Sequence, residues 1–266
     1  MTHIMRYDDP KTLRADCRQG LWRSSTSGQC PGYVQANLVI LPRDSAFDFL
    51  LFCNRNPKPC PILEVTDPGD PFLKDIAPQA DLRTDLPAYR VFRDGEIVEE
   101  RTDISDLWQD DFVGFLLGCS YTFDAVLDKS GFPQPHTTEG REPGIYVTNI
   151  PCKPAGRFKG PLVVTGRAFA GDKAAEVVML TSRFGKTHGA PIYVGDPSTI
   201  GVDLTRPDPQ YGGYPLHVGA GQVALIWACG ITPQTVAKAS RVPFMITHKP
   251  GHMFVSDLTV DELMRE

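Results

Sequence analysis

The sequence predicts an α/β protein: a main domain on a mixed sheet, with a smaller β-rich α+β lobe inserted into it. Three observations lead there. Helix-period stretches alternate with short apolar runs through residues 1–130 and again over 222–266. Residues 131–221 change texture to brief β-type runs punctuated by glycine and proline. The composition, with 41% hydrophobic residues and 24 each of Gly and Pro, supports a buried core and many turns rather than long helices.

The first element is a helix over 9–20, with Pro10 in its first turn and Gly20 at its end. The apolar segment Tyr33–Leu41 follows, interrupted by Gln35 and Asn37. If buried, these two amides need hydrogen-bond partners, and they either cap structure or orient a polar ligand. Arg43–Asn54 reads as a helix, because Ala46, Phe49, Leu50 and Cys53 fall at i, i+3, i+4, i+7. Prolines 57, 59 and 61 then stiffen a loop between Cys53 and Cys60 that carries Arg55, Asn54 and Asn56. That rigidity suggests a wall of a site, and a stiff surface loop is the alternative.

Ile62–Thr66 is a short strand, and Asp67-Pro-Gly-Asp70 a turn. Arg90–Glu100 is a hairpin around Asp94-Gly95. Thr102–Trp108 is expected to lead into a helix with Asp110 and Asp111 in its first turn. Within 131–221, strand character falls on Val147–Ile150, Leu162–Thr165, Val177–Thr181 and Ile192–Val194, with a helix start hinted only at Gly171–Glu176. The end of the chain, Phe244–Asp257, reads as a hairpin around Lys249-Pro-Gly, with His248 near its tip.

Two stretches resemble each other. Phe115-Leu-Leu-Gly-Cys119-Ser-Tyr-Thr122 and Leu225-Ile-Trp-Ala-Cys229-Gly-Ile-Thr232 each run four mostly apolar residues into Cys-x-x-Thr, and a helical pattern follows. Each unit places a thiol just before a helix N-terminus. Such an end carries free N–H groups and partial positive charge, so it can hold an anion or lower a thiol pKa.

Composition excludes several classes. The net charge of −5, at a pI near 5.7, and the lack of a Lys/Arg cluster argue against nucleic acid as the partner. Seven cysteines at wide spacings, with no apolar leader-like run at the start, indicate reduced thiols and a cytoplasmic protein. No apolar run approaches membrane-spanning length. No CxxC or HExxH spacing suggests zinc or another metal, and no glycine-rich nucleotide signature implies an organic cofactor. A homo-oligomer is left open.

The motif set PGYVQANLVILP (31–42), FLLFCNRNPKPCPILEVTDPGDP (49–71), ADLRTDLPAYRVFRDG (80–95), FLLGCSYTFDAVL (115–127), YVTNIPC (146–152), TSRFGKTHGAPIYVGDP (181–197), WACGITPQ (227–234) and ITHKPGHMFVSD (246–257) resembles the D-glutamate cyclase family, whose bacterial members are catalogued as hydro-lyases. Gly185, where relatives are expected to carry Pro, and Arg141–Ile145 depart from the pattern. The resemblance implies an α/β fold with a second, smaller lobe, and lyase chemistry on a small acidic amino acid.

Closing glutamate to 5-oxoproline requires both carboxylates to be held, a proton taken from the ammonium, and protons given to the leaving oxygen. Arg83 and Arg183 are the candidate carboxylate holders. His188 or His248 are candidate proton carriers, and Asp85 or Asp196 a base or a histidine orienter. Cys119 and Cys229 mark the anion-holding helix starts, with thiolate attack as the weaker reading. Asn56, Ser120, Thr232 and Asn149 complete the candidate substrate-binding set. Two rival functions are a non-catalytic sensor of acidic amino acids and a hydratase of another small carboxylic acid.

Overall fold

A computed structural model describes residues 7–135 and 142–265. The fold class expected from the sequence is present: α/β, with a large sheet and a smaller second one. Helix α1 (Pro10–Arg18) starts where Asp9 accepts from the Thr12 amide at 2.9 Å. Strand β1 (Tyr33–Pro42) runs into α2 (Arg43–Arg55) and returns as β2 (Ile62–Val65). The hairpin β3 (Tyr89–Arg93) and β4 (Glu96–Arg101) turns at Asp94 and Gly95, both at positive φ, which is the geometry the Asp-Gly pair selects. Then come β5 (Phe112–Gly118) and α3 (Tyr121–Lys129).

The large sheet has the order β2-β5-β1-β10-β3-β4, where β10 is Phe244–His248, and β11 (Phe254–Thr259) also pairs with β1. The smaller sheet has the order β6-β7-β9-β8, from β6 (Ile145–Pro151), β7 (Pro161–Ala170), β8 (Tyr193–Val194) and β9 (Gln222–Ala228). Helix α4 (Ala174–Ser182) joins β7 to β8, α5 (Thr232–Ala239) follows β9, and α6 (Val260–Leu263) follows β11.

The ladders between these strands are antiparallel rather than mixed. Strands β1 and β2, joined by a helical crossover, do run parallel, but β5 inserts between them. Strand β9 inserts between β7 and β8 in the same way. The chain thus repeats one unit twice: strand, helix, loop, strand, then a returning inner strand and a helix.

Four expectations are corrected. Strand β9, placed by the sequence in the main domain from residue 222, belongs to the smaller sheet, where its apolar residues find both partners. Only a single 3-10 turn, Ser105–Leu107, forms before β5, because the apolar run from Phe112 is taken up by ladders to β1 and β2. Val177–Thr181 is helix, not strand; Val177 and Thr181, at i and i+4, are the buried residues of α4. The chain end is not a hairpin: β10 pairs with β1 at Val39 and Ile40, and β11 continues in the same direction along Tyr33–Ala36.

A shared core ties the two sheets together. Phe49 of α2 lies 4.9 Å from Phe115 of β5 and 5.3 Å from Phe158, ring centre to ring centre. The same cluster takes in Val164 of β7, Ile226 of β9, Val236 of α5 and Met245 of β10. Strand β9 is buried on both faces: Ala224, Ile226 and Ala228 face this core, while Leu225 and Trp227 face a second one with Phe123 and Val177. The site lies where the inner strands of the two units end.

Candidate functional site

Each inner strand ends in a cysteine, and the following backbone is built identically in the two units. The Cys119 amide donates to Gln35 O on β1 and the Cys229 amide to Val163 O on β7, each at 2.9 Å. Three residues on, Thr122 Oγ1 accepts from the Gln35 amide at 3.1 Å, and Thr232 Oγ1 from the Val163 amide at 3.2 Å. The two threonines latch each helix start to the neighbouring strand. Thr232 is therefore structural, and it does not line the cavity. Each thiol accepts from the backbone N–H two residues later, Tyr121 or Ile231.

Both thiols line one cavity of about 100 Å³. Asn37 on β1 and Thr165 on β7, each two residues beyond the latched position, face it as well. Ser120, Tyr121, Glu142, His188 and Tyr211 add to the polar lining, and Ile145, Ile231 and Met253 supply apolar wall. A volume of this order is on the scale of a small molecule.

The lining is asymmetric in charge. Glu142 accepts from the Tyr121 and Ser25 hydroxyls. Burial pushes the Tyr121 hydroxyl well above its ordinary value, and the Glu142 charge adds to this, so the hydroxyl stays a donor. Burial also raises both thiols, Cys229 to about 11 and Cys119 further, with Cys229 nearby disfavouring a second thiolate. Both are S–H at neutral pH. Burial lowers His188 to about 4, so it is neutral. Its Nδ1 lies 2.7 Å from Lys58 O. A carbonyl can only accept, so Nδ1 carries the proton and Nε2 is a base. His188 has φ +79, a left-handed backbone that a non-glycine residue adopts at a cost, as expected where a site over-determines the chain.

Arg167 of β7 lies beneath. It is 3% exposed, with Nη2 at 2.9 Å from Asp124 and 3.2 Å from Ser120 Oγ. Its guanidinium carbon sits 5.2 Å from the ring centres of both Phe123 and Trp227. Nε and Nη1 have no partner among the described residues. Its charge offsets part of the burial effect on both thiols.

Of the sequence-predicted residues, Cys119, Cys229, His188 and Ser120 meet in this cavity. Asn37, read as a possible ligand-orienting amide, lines it too, and the others do not. Arg83 forms an ion pair with Asp81 at 2.8 Å and stacks on Phe72. Asp85 is buried against Arg18 and the Asp81 amide. Arg183 is exposed past the end of α4. Asp196 caps the turn Pro197–Ile200. Asn56 exchanges hydrogen bonds with the Lys153 backbone, and Asn149 is exposed on β6. His248 is buried at the end of β10, its Nδ1 accepting from the Leu38 amide at 3.1 Å. The proline-stiffened loop is not a wall; Cys53 and Cys60 sit in the core, and Lys58 reaches the cavity only through the back of His188.

Sequence reasoning missed Tyr121, Glu142, Thr165 and Arg167. Arg167 had a signal: Val163, Thr165 and Arg167 alternate along one face of an apolar run, so a charge there had to be buried. Among the described residues no group of three or more His, Cys, Asp or Glu side chains is arranged to hold a metal ion, and no helix is long and apolar enough to cross a membrane.

A model of the D-glutamate cyclase family matches residues 113–257, a stretch that carries both cysteine units and His188. A Geobacillus kaustophilus protein named "Putative hydro-lyase" is 52% identical over 254 residues, covering 95% of either chain. Proteins with the same description from Bacillus licheniformis and Stutzerimonas stutzeri are 51% identical over 250 residues (94% of either chain) and 49% over 255 residues (96% of this chain, 95% of the other).

Proposed function

This chain belongs to the D-glutamate cyclase family, and on that premise we propose that its cavity closes D-glutamate to 5-oxo-D-proline with loss of water. One observation carries the reading. Two thiol-marked helix starts and one neutral histidine converge on a space the size of a single small acid.

At the helix starts after Cys119 and Cys229, the protonated thiols are donors for the two carboxylates of the substrate, with the partial positive charge of each helix end behind them. Glu142 is the counter-charge for its ammonium. His188 Nε2 takes one ammonium proton. The freed amine attacks the γ-carboxyl carbon, a C–N bond forms, and a C–O bond breaks. The departing oxygen leaves as water with that proton and the second one from nitrogen, so no oxidant or co-reactant is consumed. Arg167 adds positive charge under the developing oxyanion without touching it. Because both thiols are held protonated, attack by sulfur on an unactivated carboxylate is disfavoured.

The test is turnover of ¹³C-labelled D-glutamate followed by NMR, beside L-glutamate and a panel of hydroxy and unsaturated acids. The expected result is 5-oxo-D-proline from D-glutamate. Binding without turnover across the panel would favour the sensor function instead, and water addition to an unsaturated acid the hydratase. The pH profile gives a second check. A base must be unprotonated, and His188 is lowered to about 4. The acid limb of kcat/KM therefore lies near pH 4 rather than near 6.5.

A further inference from the structure

The loops after α2 and α4 occupy equivalent places in the two units, and they clasp each other through one residue pair. His188 Nδ1 donates to Lys58 O at 2.7 Å. In return, Lys58 Nζ donates to His188 O at 3.1 Å and to Ala190 O at 3.0 Å. Among the described residues Lys58 pairs with no carboxylate. Its amine is committed to two carbonyls of a turn that contains the left-handed His188 and Gly189.

We propose that Lys58 is the positioning residue for His188, fixing its tautomer through the backbone carbonyl and its left-handed backbone through the ammonium. The two contacts do different work. The carbonyl of Lys58 puts the proton on Nδ1 and leaves Nε2 toward the cavity as a base. The ammonium holds His188 O and Ala190 O on the loop side, which opposes relaxation of a strained left-handed backbone. Pro57 and Pro59 flank Lys58 and remove its freedom to follow a relaxing partner. This explains the stiffness of the loop, which touches the site only from behind. Lys58 is exposed overall, and partial desolvation lowers its amine, in keeping with an ammonium that makes two carbonyl contacts at the edge of the loop. The kinetic part of the proposal rests on His188 being the base of the proposed cyclisation; the tautomer part does not.

The experiment compares wild type, Lys58→Met, Lys58→Gln and Lys58→Arg, each labelled with ¹⁵N-histidine. His188 is assigned by difference against His188→Gln, and tautomers are read at neutral pH. Wild type and Lys58→Arg should show His188 in the Nδ1–H form alone. Lys58→Met keeps the carbonyl but releases the His188 turn, so the ring leaves Lys58 O part of the time; it should show a tautomer mixture, with kcat lower by about 10- to 100-fold and KM changed less than about twofold, the pattern of a misplaced base rather than lost binding. Lys58→Gln, which keeps a donor for one carbonyl, should fall between and guards against a Met variant that folds poorly. A pure Nδ1–H tautomer in both Lys58→Met and Lys58→Gln overturns the proposal, as does a kcat loss with that tautomer intact. Should His188→Gln keep full turnover, the reading of His188 as the base falls, while the tautomer comparison still decides the role of Lys58.

Discussion

The two Cys-x-x-Thr units share a backbone and differ in nearly every side chain that faces the cavity. In the first, Ser120 bonds Arg167 and Tyr121 donates to Glu142. In the second, Gly230 is bare and Ile231 belongs to an apolar cluster with Val163 and Tyr211. The latch between threonine and neighbouring strand is the same in both to within 0.1 Å at the amide-to-hydroxyl contact (3.1 and 3.2 Å). What is common is therefore the placement of a thiol and a helix start, and what has diverged is the chemistry around them. A symmetric cradle suits two carboxylates. Under the proposed cyclisation, a wall that is polar beside Ser120 and Tyr121 and apolar beside Ile231 distinguishes the two ends of the substrate.

The largest effect that breaks this comparison is expected at Gly230. A Cβ there would lie 2.0 Å from Asn37 Nδ2, and that amide is held by Leu117 O and Gly118 O, so it cannot swing away. Gly230→Ala should cost about 1–3 kcal/mol of stability from overpacking and lower kcat by roughly 100-fold or more through displacement of the cradle. The equivalent position in the first unit already carries a side chain, and Ser120→Ala should cost only about 1 kcal/mol for the lost hydroxyl contact. Urea unfolding and steady-state kinetics of the pair decide it. A Gly230→Ala enzyme with unchanged midpoint and kcat would mean that the close approach of Asn37 is not needed.

The legibility of the chain follows the same divide between local pattern and long-range pairing. The cysteine units could be read because everything that defines them lies within eight consecutive residues. The Asp94-Gly95 hairpin could be read for the same reason. That β5 and β9 insert between their crossover partners could not, since pairing depends on contacts far apart in sequence. Glu142 and Tyr121 were hidden likewise, being 21 residues apart and joined only by the fold. Arg83, Arg183, Asp85 and Asp196 attract attention by chemical type, but Arg83 and Asp196 are used locally, in an ion pair and a cap, Asp85 is taken by the distant Arg18, and Arg183 lies at an exposed helix end. Asn37 was visible as a polar break in an apolar strand, and both of its expected uses meet there: it is bonded to backbone and it lines the cavity.

A middle-sized effect sharpens the comparison at its symmetric part. Thr122→Val and Thr232→Val keep shape and remove the oxygen that accepts from Gln35 N–H and Val163 N–H, both buried. Each should lose about 1–3 kcal/mol, the cost of an orphaned buried donor. Because the two latches have the same geometry, the two losses should match. They should also add in the double variant, since the latches share no partner. Chemical denaturation of the three proteins measures this. Markedly unequal losses would confine the equivalence of the units to their backbone trace.

The smallest effect is expected at the thiols themselves, and it separates the cradle from a covalent mechanism. Burial raises Cys119 and Cys229 so that both hold their protons at neutral pH, Cys229 with a pKa of about 11. A protonated thiol is a weak donor and a poor nucleophile. Serine keeps a donor in nearly the same place, so Cys119→Ser and Cys229→Ser should each retain kcat within about tenfold, the scale of one net hydrogen bond. Leucine at either position removes the donor and fills the space, and should block turnover from both sides alike. A nucleophilic thiol predicts the opposite asymmetry: one of the two serine variants would lose several orders of magnitude, the other almost nothing, and iodoacetamide would inactivate by modifying that single cysteine. Kinetics of the four variants, with mass spectrometry of the alkylated wild type, distinguishes these outcomes. The cradle is favoured on the geometry of the units, because the backbone that presents Cys119 is the backbone that presents Cys229, and a lone nucleophile would give no reason to build it twice.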